Sequence, residues 1–225
     1  MKLKFLAMLE QIRNKSHIWL AVQQWIELLR IHWLQRFGAH TVTVLGRTYH
    51  VSKNVFNPRY FENSALLANY LEIRPGDEVL DMGTGSGIQA IVAGQTASRV
   101  VAVDINPEAV RCAQENIKHN GMEQVISVLQ GDLFESLPPN SAFDVIIFNA
   151  PFWDRAAKSY IEIAMFDPGQ RVLQRFLQNS AGYLKPGGNI QVLYSSAAET
   201  GNCRKLVEVA ADFGWICSVV HQEMV

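Results

Sequence analysis

The stretch Val79-Leu-Asp-Met-Gly-Thr-Gly-Ser-Gly-Ile-Gln-Ala90 decides the fold of this chain. A short apolar run, Glu78 to Leu80, reads as a buried strand that ends on an acid, Asp81. Gly83, Gly85 and Gly87 follow at alternate positions, and Ile88 opens an apolar stretch that reads as a helix. Strand, glycine-rich turn and helix make the first unit of a nucleotide-binding α/β fold. Glycine takes positive φ without a Cβ clash and lets a ligand come close to the backbone. The free N–H groups of the helix start then face that ligand. Taken alone the stretch stays ambiguous: it allows a purely structural turn, and Gly85-x-Gly87-x-x-Ala90 also fits the dinucleotide fingerprint.

Beyond this loop the chain alternates. Val100 to Ile105 is a β-branched run that passes through Asp104. Asn106 is a natural N-cap and Pro107 a first-turn residue, so a helix runs to about Asn120 with Gly121 as its stop. Strands are expected at Ile126 to Gln130 and at Phe143 to Phe148, the latter apolar enough to be buried on both faces. Asp167-Pro-Gly-Gln170 offers an N-cap, a first-turn proline and a capping-box glutamine for a helix to about Leu184, closed by Lys185-Pro-Gly-Gly. A strand at Ile190 to Tyr194, a helix at Cys203 to Phe213 and a strand at Trp215 to His221 complete the series. The pattern predicts a Rossmann-like α/β domain over 63–225, its sheet mostly parallel with helices on both faces. Such folds usually finish with one more antiparallel strand, for which no candidate is visible after Trp215 to His221.

Upstream, Leu3, Leu6, Leu9, Ile12, Trp19, Val22, Ile26, Leu29, Trp33 and Phe37 recur at helical spacing. They predict a helical extension over 1–38, broken near Asn14 to Ser16 into two helices. Thr41 to Ser52 alternates around Leu45-Gly46-Arg47 as a β-hairpin. Pro58 excludes regular helix just before it, so 39–62 reads as hairpin plus an irregular segment, and a helix follows from Asn63 to about Leu71.

The net charge of −1 hides an asymmetry: residues 1–60 carry nine Lys/Arg against two Glu, and the rest carries eleven against nineteen acids. A basic first quarter on an acidic body suggests an anionic partner, or simply a solvated basic helix face. Trp19, Trp25 and Trp33 fall in that quarter; packing onto the main domain is the expected role for most of them, with RNA, protein or membrane-surface contact as the functional alternative. Cys112, Cys203 and Cys217 are odd in number and form no C-x-x-C, so a reducing, cytoplasmic setting is expected. The six histidines form no ligand pattern, and no metal is expected. Glu10 and Arg13 interrupt the signal-peptide-like start, and no run is long enough to span a membrane.

Four strand ends carry the informative residues, and ligands of such sheets bind there. Asp81 and the glycines close the first. Asp104, 19 residues beyond Gly85, closes the second and can accept from both hydroxyls of a ribose, which disfavours a 2′-phosphate. Asp132 follows the third, where a carboxylate can accept from an adenine amino group, and Asn149-Ala150-Pro151-Phe152 follows the fourth. An isolated acid in these places would be an N-cap or turn former; the co-occurrence is the stronger signal.

At these residues the chain resembles the class I S-adenosylmethionine-dependent methyltransferases. D-M-G-T-G-S-G at 81–87 is similar to their first motif, D-I-N-P at 104–107 to their second and G-D-L-F at 131–134 to their third. The resemblance runs from about Thr41 to Trp215. It implies S-adenosylmethionine as cofactor, held by Asp81, Gly83, Thr84, Gly85, Gly87, Asp104, Ile105, Asp132, Leu133 and Asn149. N-A-P-F at 149–152 resembles the Asn-Pro-Pro-aromatic motif of the branch that methylates planar NH₂ nitrogens: release-factor glutamine, ribosomal-RNA guanine-N2 and transfer-RNA adenine-N6 methyltransferases. Val55 to Tyr60 with the following helix resembles that branch's segment preceding the first motif, and the hairpin at 41–52 also fits the ribosomal-RNA type. The family pattern implies Asn149, Ala150, Pro151 and Phe152 as the catalytic set. Ala150 departs from it, standing where a proline is usual, but the motif uses that residue's carbonyl.

An NH₂ nitrogen of this kind has a delocalised lone pair and needs no prior deprotonation; it must be held in line with the methyl group. The Asn149 oxygen and the Ala150 carbonyl would accept its two N–H bonds, Phe152 would stack on the planar group and Trp153 would widen that platform. The long loop from Trp153 to Phe166, with Asp154, Arg155 and Lys158, reads as a lid or substrate reader. The expected partner is RNA or a protein, with a small molecule not excluded. The rivals are a small-molecule N-, O- or C-methyltransferase, a nicotinamide oxidoreductase, which leaves Asp132 and N-A-P-F unexplained, and a non-catalytic binding module on the same scaffold.

Overall fold

The computed structural model describes residues 2–9, 17–61, 63–195 and 205–224. Its strands are β1 (Lys2–Leu9), β2 (Thr41–Val44), β3 (Arg47–His50), β4 (Glu78–Met82), β5 (Arg99–Asp104), β6 (Ile126–Gln130), β7 (Phe143–Asn149), β8 (Leu184–Ser195) and β9 (Ile216–Met224). Its helices are α1 (His17–Phe37), α2 (Asn63–Asn69), α3 (Ile88–Ala93), α4 (Pro107–His119), α5 (Tyr160–Ile163), α6 (Arg171–Ser180) and α7 (Leu206–Asp212). Seven strands form one sheet in the order β6-β5-β4-β7-β8-β1-β9, and every recorded pairing in it is parallel. β2 and β3 form the separate antiparallel hairpin expected at 41–52.

Alternation along the strands sends side chains to two cores. Val79, Val100, Val145 and Ile147 pack with α2, α3, α4 and the hairpin on one face. Leu80, Val101, Ile146 and Phe148 pack with α6 and α7 on the other. Each fully buried side chain of this size contributes about 1.5–3 kcal/mol. Asn116 of α4 pins the hairpin, accepting from His50 N over 2.8 Å and donating to His50 O over 2.7 Å.

The helix expected to start at Leu3 is a strand. Lys2-Leu-Lys-Phe alternates as well as it spaces by three, and periodicity cannot separate the two in so short a run. Leu3 is fully buried, pairing with Ile190 of β8 and Cys217 of β9, while Lys4 on the opposite side of the pleat pairs with Glu72. β1 therefore fills the place for which no late strand was visible, and it is parallel rather than antiparallel. Asn14 to Ser16 and Cys203 lie outside the described residues.

Trp25 and Trp33 do not pack into the core: they are 59% and 61% exposed, with the Arg155 guanidinium 5.5 Å from the centre of the Trp25 ring; the side chain of Trp19 lies outside what the structure describes. The buried face of α1 carries Ile31 and Gln35 instead, one turn apart. Near Gln170 the predicted capping box is replaced by a kink, because Gly169 and Gln170 both take left-handed φ, 65° and 56°. Asp167 reaches past it to accept from Val172 N and Leu173 N, and buried Gln170 donates to the Tyr194 hydroxyl. Lys185-Pro-Gly-Gly does not separate helix from strand. β8 already runs through it, in a close crossing where a Cβ on Gly188 would meet Asp144 O at 2.9 Å.

Candidate active site

From β4 the chain builds outward to β5 and β6, then returns to β7 on the other side. The carboxyl ends of β4 and β7 are thus the point where strand order reverses, the usual ligand crevice of such sheets. A cleft opens there, with about 1130 Å³ between its walls and across its mouth. Gly83, Thr84, Gly85, Asp104, Ile105, Asp132, Leu133, Asn149 and Pro151 all line it. Asp81, Gly87, Ala150 and Phe152 lie outside its wall, each in a supporting position.

The glycine loop is as tight as the sequence requires, with φ of 66°, 57° and 86° at Gly83, Gly85 and Gly87. Asp81 sits beneath it. Its Oδ2 accepts from the Thr84 hydroxyl over 2.6 Å and from Ala90 N over 3.0 Å, tying the loop to the start of α3. Burial pushes the Asp81 carboxyl up to about 7, against those two hydrogen bonds, with Asp104 adding to the rise. At the end of β5, Asp104 accepts from Gly85 N through one oxygen and from Asn106 N through the other, both over 2.8 Å. Burial raises its carboxyl too, opposed by these backbone donors. A carboxylate has about four lone-pair sites, so with the backbone of Gly85, Ile105 and Asn106 around it Asp104 still keeps acceptor capacity to offer to a diol.

The third strand end is more elaborate than the sequence suggests. Asp132 pairs with Arg175 of α6 over 2.9 Å, and Arg175 also reaches Glu135 at 3.5 Å. Leu133 takes left-handed φ, 51°, an unusual state for a branched side chain and one found where a site over-determines the backbone.

At the fourth, Asn149 pairs with Leu193 in the sheet register and turns its amide towards α2, where Nδ2 donates to Ser64 Oγ over 3.4 Å. Ala150 is buried, its N–H given to Leu193 O. Phe152 is partly buried and packs edge-on against Trp153 and Tyr194, at the border of the second core. The wall aromatics are Phe56, Phe148 and Tyr160.

The loop after Phe152 is a closed flap. Trp153 and Phe166 bridge its ends, Phe152 N and Trp153 N both donate to Met165 O, and α5 inside it sets Tyr160 and Ile163 on the cleft. α1 braces the mouth from outside. Its Ile31 packs with Ile161, Met165 and Phe166 of the flap. Its Gln35 donates to the carbonyls of Lys53 and Val55, next to the Val55–Phe56 wall. Arg175, Ser64, Gln89, Tyr160 and Phe56 were not singled out from sequence. They reach the cleft through tertiary packing, although Phe56 and Ser64 lie within the segment that resembled the one before the first motif, and Gln89 within the Val79–Ala90 stretch. Among the described residues no group of three His, Cys, Asp or Glu could hold a metal, and no helix is long and apolar enough to cross a membrane.

A parallel sheet with a glycine loop at its switch point and carboxylates on the next two strand ends defines a nucleoside-cofactor enzyme of the Rossmann-like class. Comparison with known proteins narrows this. The family model "Methyltransferase small domain" matches residues 47–217, and the chain belongs to that family, the S-adenosylmethionine-dependent methyltransferases of class I. A predicted protein N5-glutamine methyltransferase of Methanocaldococcus jannaschii is 41% identical over 139 residues, 58% of this chain and 68% of that protein. The release factor glutamine methyltransferase of Rhodopirellula baltica is 30% identical over 159 residues, 62% of this chain and 54% of its own length. Among solved structures, the 16S rRNA N2 G1207 methyltransferase of T. thermophilus, in complex with AdoMet and guanosine, aligns with a TM-score of 0.52 at 27% identity, over 66% of this chain and 39% of that one. The chain therefore spans about half to two thirds of the length of the curated relatives it matches. S-adenosylmethionine is the cofactor of this class, and the spare acceptor sites of Asp104 beside the glycine turn suit its ribose.

Proposed function

We propose that this chain transfers the methyl group of S-adenosylmethionine to the side-chain amide nitrogen of a glutamine in a protein acceptor. The observation that carries the reading is the place of Asn149, on the cleft wall at the end of β7, beside the glycine loop of β4. One further point supports it. Relatives at 41% and 30% identity are named for glutamine.

In this reading Asp104 takes the ribose hydroxyls, Gly83 to Gly85 the amino-acid portion, and Asp132 with Leu133 the adenine edge. The cofactor supplies an electrophilic methyl on a sulfonium. The protein's part is positioning. An amide nitrogen is a poor nucleophile, and holding it in line contributes several kcal/mol, up to roughly 7–11 in ideal intramolecular cases. Asn149 Oδ1 and the Ala150 carbonyl accept the two N–H bonds and favour the positive charge that grows on nitrogen.

The test is transfer of labelled methyl from S-adenosylmethionine into hypomethylated cell fractions, with Asn149→Ala as control. Label removed by protease and resistant to nuclease, and lost in Asn149→Ala, is the expected result. Nuclease-sensitive label would replace glutamine by a nucleic-acid base, with the basic first sixty residues as phosphate contacts. Label surviving both treatments would mean a small-molecule acceptor, and cofactor binding without turnover a non-catalytic module.

A further inference from the structure

In-line transfer needs two groups in register that sit on different elements. The methyl group arrives on the glycine loop between β4 and α3, and the acceptor nitrogen on Asn149 at the end of β7. A short polar chain joins these elements through α2. Gln89, on the first turn of α3, donates from Nε2 to the Ser64 carbonyl over 2.9 Å. Ser64, on the first turn of α2, accepts at Oγ from Asn149 Nδ2 over 3.4 Å. Ser64 and Gln89 are buried, and all three residues line the cleft.

We infer that Ser64 is a positioning residue, which holds the Asn149 amide in place at the end of β7 and registers it to the helix that carries the cofactor loop. The inference rests on the reading that Asn149 holds the acceptor nitrogen. An asparagine amide has unlike ends, and only its oxygen can accept from an NH₂ group. With its nitrogen turned to Ser64, the oxygen is the end that remains for the acceptor. A reversed amide would set donor against donor at the acceptor NH₂, so the acceptor selects the sense of the amide and Ser64 fixes its place. The Gln89 bond keeps Ser64 from drifting away with α2, because it anchors that turn's backbone to α3. At 3.4 Å the Ser64–Asn149 contact is long, as positioning hydrogen bonds commonly are before the substrate arrives.

The experiment measures initial rates of labelled-methyl transfer at saturating S-adenosylmethionine, using a hypomethylated total cell extract as acceptor. Wild type, Ser64→Ala, Ser64→Thr, Ser64→Cys, Asn149→Ala and the double variant Ser64→Ala/Asn149→Ala are compared. Binding of S-adenosylhomocysteine is followed by calorimetry and folding by thermal melt. Ser64→Ala is expected to be slower by about 10- to 100-fold, as a misplaced reacting group is. Its S-adenosylhomocysteine affinity should stay within about twofold of wild type, and Ser64→Thr, which keeps the hydroxyl, should recover most of the rate. The double variant should be no slower than Asn149→Ala alone, since Ser64 acts only through that amide. A purely structural serine would instead lower rate, cofactor affinity and melting temperature together, and its effect would add to that of Asn149→Ala. If Ser64→Ala melts below the assay temperature, Ser64→Cys, of similar size and a far weaker acceptor, carries the same expectation. Ser64→Ala and Ser64→Cys at wild-type rates with Asn149→Ala inactive would overturn this inference alone; Asn149→Ala at wild-type rate would overturn the reading it rests on.

Discussion

The Thr84 hydroxyl donates to the Asp81 carboxylate over 2.6 Å, directly beneath the glycine loop, and Ala90 N donates to the same oxygen over 3.0 Å. Asp81 is thus the post on which the loop stands rather than part of the cleft wall. Burial holds its carboxyl at about 7, far above the ordinary value of 3.8. Between those two values the unfolded chain binds fewer protons than the folded one, so this group makes stability fall as pH rises from about 4 to 7. Each pH unit separating the two pKa values corresponds to about 1.4 kcal/mol. Asp81→Asn keeps an oxygen for both donors and cannot ionise. The melting temperature of wild type relative to Asp81→Asn should therefore fall steadily from pH 5 to pH 7 and level off above it. Parallel melting curves across that range would show that Asp81 carries no such penalty.

Arg175 reaches the third strand end from α6 and holds Asp132 at 2.9 Å. Its side chain is 46% exposed, so the pair is worth no more than about 1 kcal/mol to the fold. Its effect should be on the ligand. Arg175→Ala frees the Asp132 carboxylate to turn to solvent and removes part of the cleft wall. S-adenosylhomocysteine should bind about 5- to 20-fold more weakly, a cost of roughly 1–2 kcal/mol, with a melting temperature within about 2 °C of wild type. Titration calorimetry with parallel melts checks both. Unchanged affinity would place Arg175 outside the binding machinery.

The strand ends were legible because local rules govern them. Asn106 and Pro107 cap α4 as the residue types require, and the run into Asp104 has no helical period, so the first three acids and Asn149 fall at adjacent strand ends without any tertiary knowledge. β1 was not legible. Its eight residues suit helix or strand, and what decides between them is a pair of partners, β8 and β9, that lie nearly the whole chain away. Trp25 and Trp33 misled for a related reason: a helical stripe marks one face as apolar but does not say which face is covered. At the site, Arg175 carries no local signal at all, and Ser64 none beyond its place in the segment before the first motif. Each is an ordinary helix residue until α6 and α2 pack at the cleft, and Phe152 left the predicted wall because Tyr194 offered its ring an edge-on partner at the border of the core.

Gln35 links the least legible part of the chain to the cleft. Buried at 3% exposure on α1, it donates its amide to the carbonyls of Lys53 and Val55, and Val55 and Phe56 form the wall facing Asp104 and Asn106. Asn106 holds the same segment from the other side, donating from Nδ2 to Asn54 O over 2.8 Å. Replacing Gln35 by Leu keeps the bulk and removes both donors, leaving part-buried carbonyls unpaired at about 1–3 kcal/mol. For a domain of this size that corresponds to a melting temperature lower by about 2–10 °C. The loosened wall should also weaken S-adenosylhomocysteine binding severalfold, although Gln35 does not line the cleft. Asn106→Ala, which releases the segment from the opposite anchor, should act in the same direction, and the two losses should fall short of additive because they free one shared segment. Melts and calorimetry on both single variants and the double variant decide the matter. Strict additivity, or a loss of stability with no change in affinity, would mean that α1 stabilises the fold without shaping the cofactor wall.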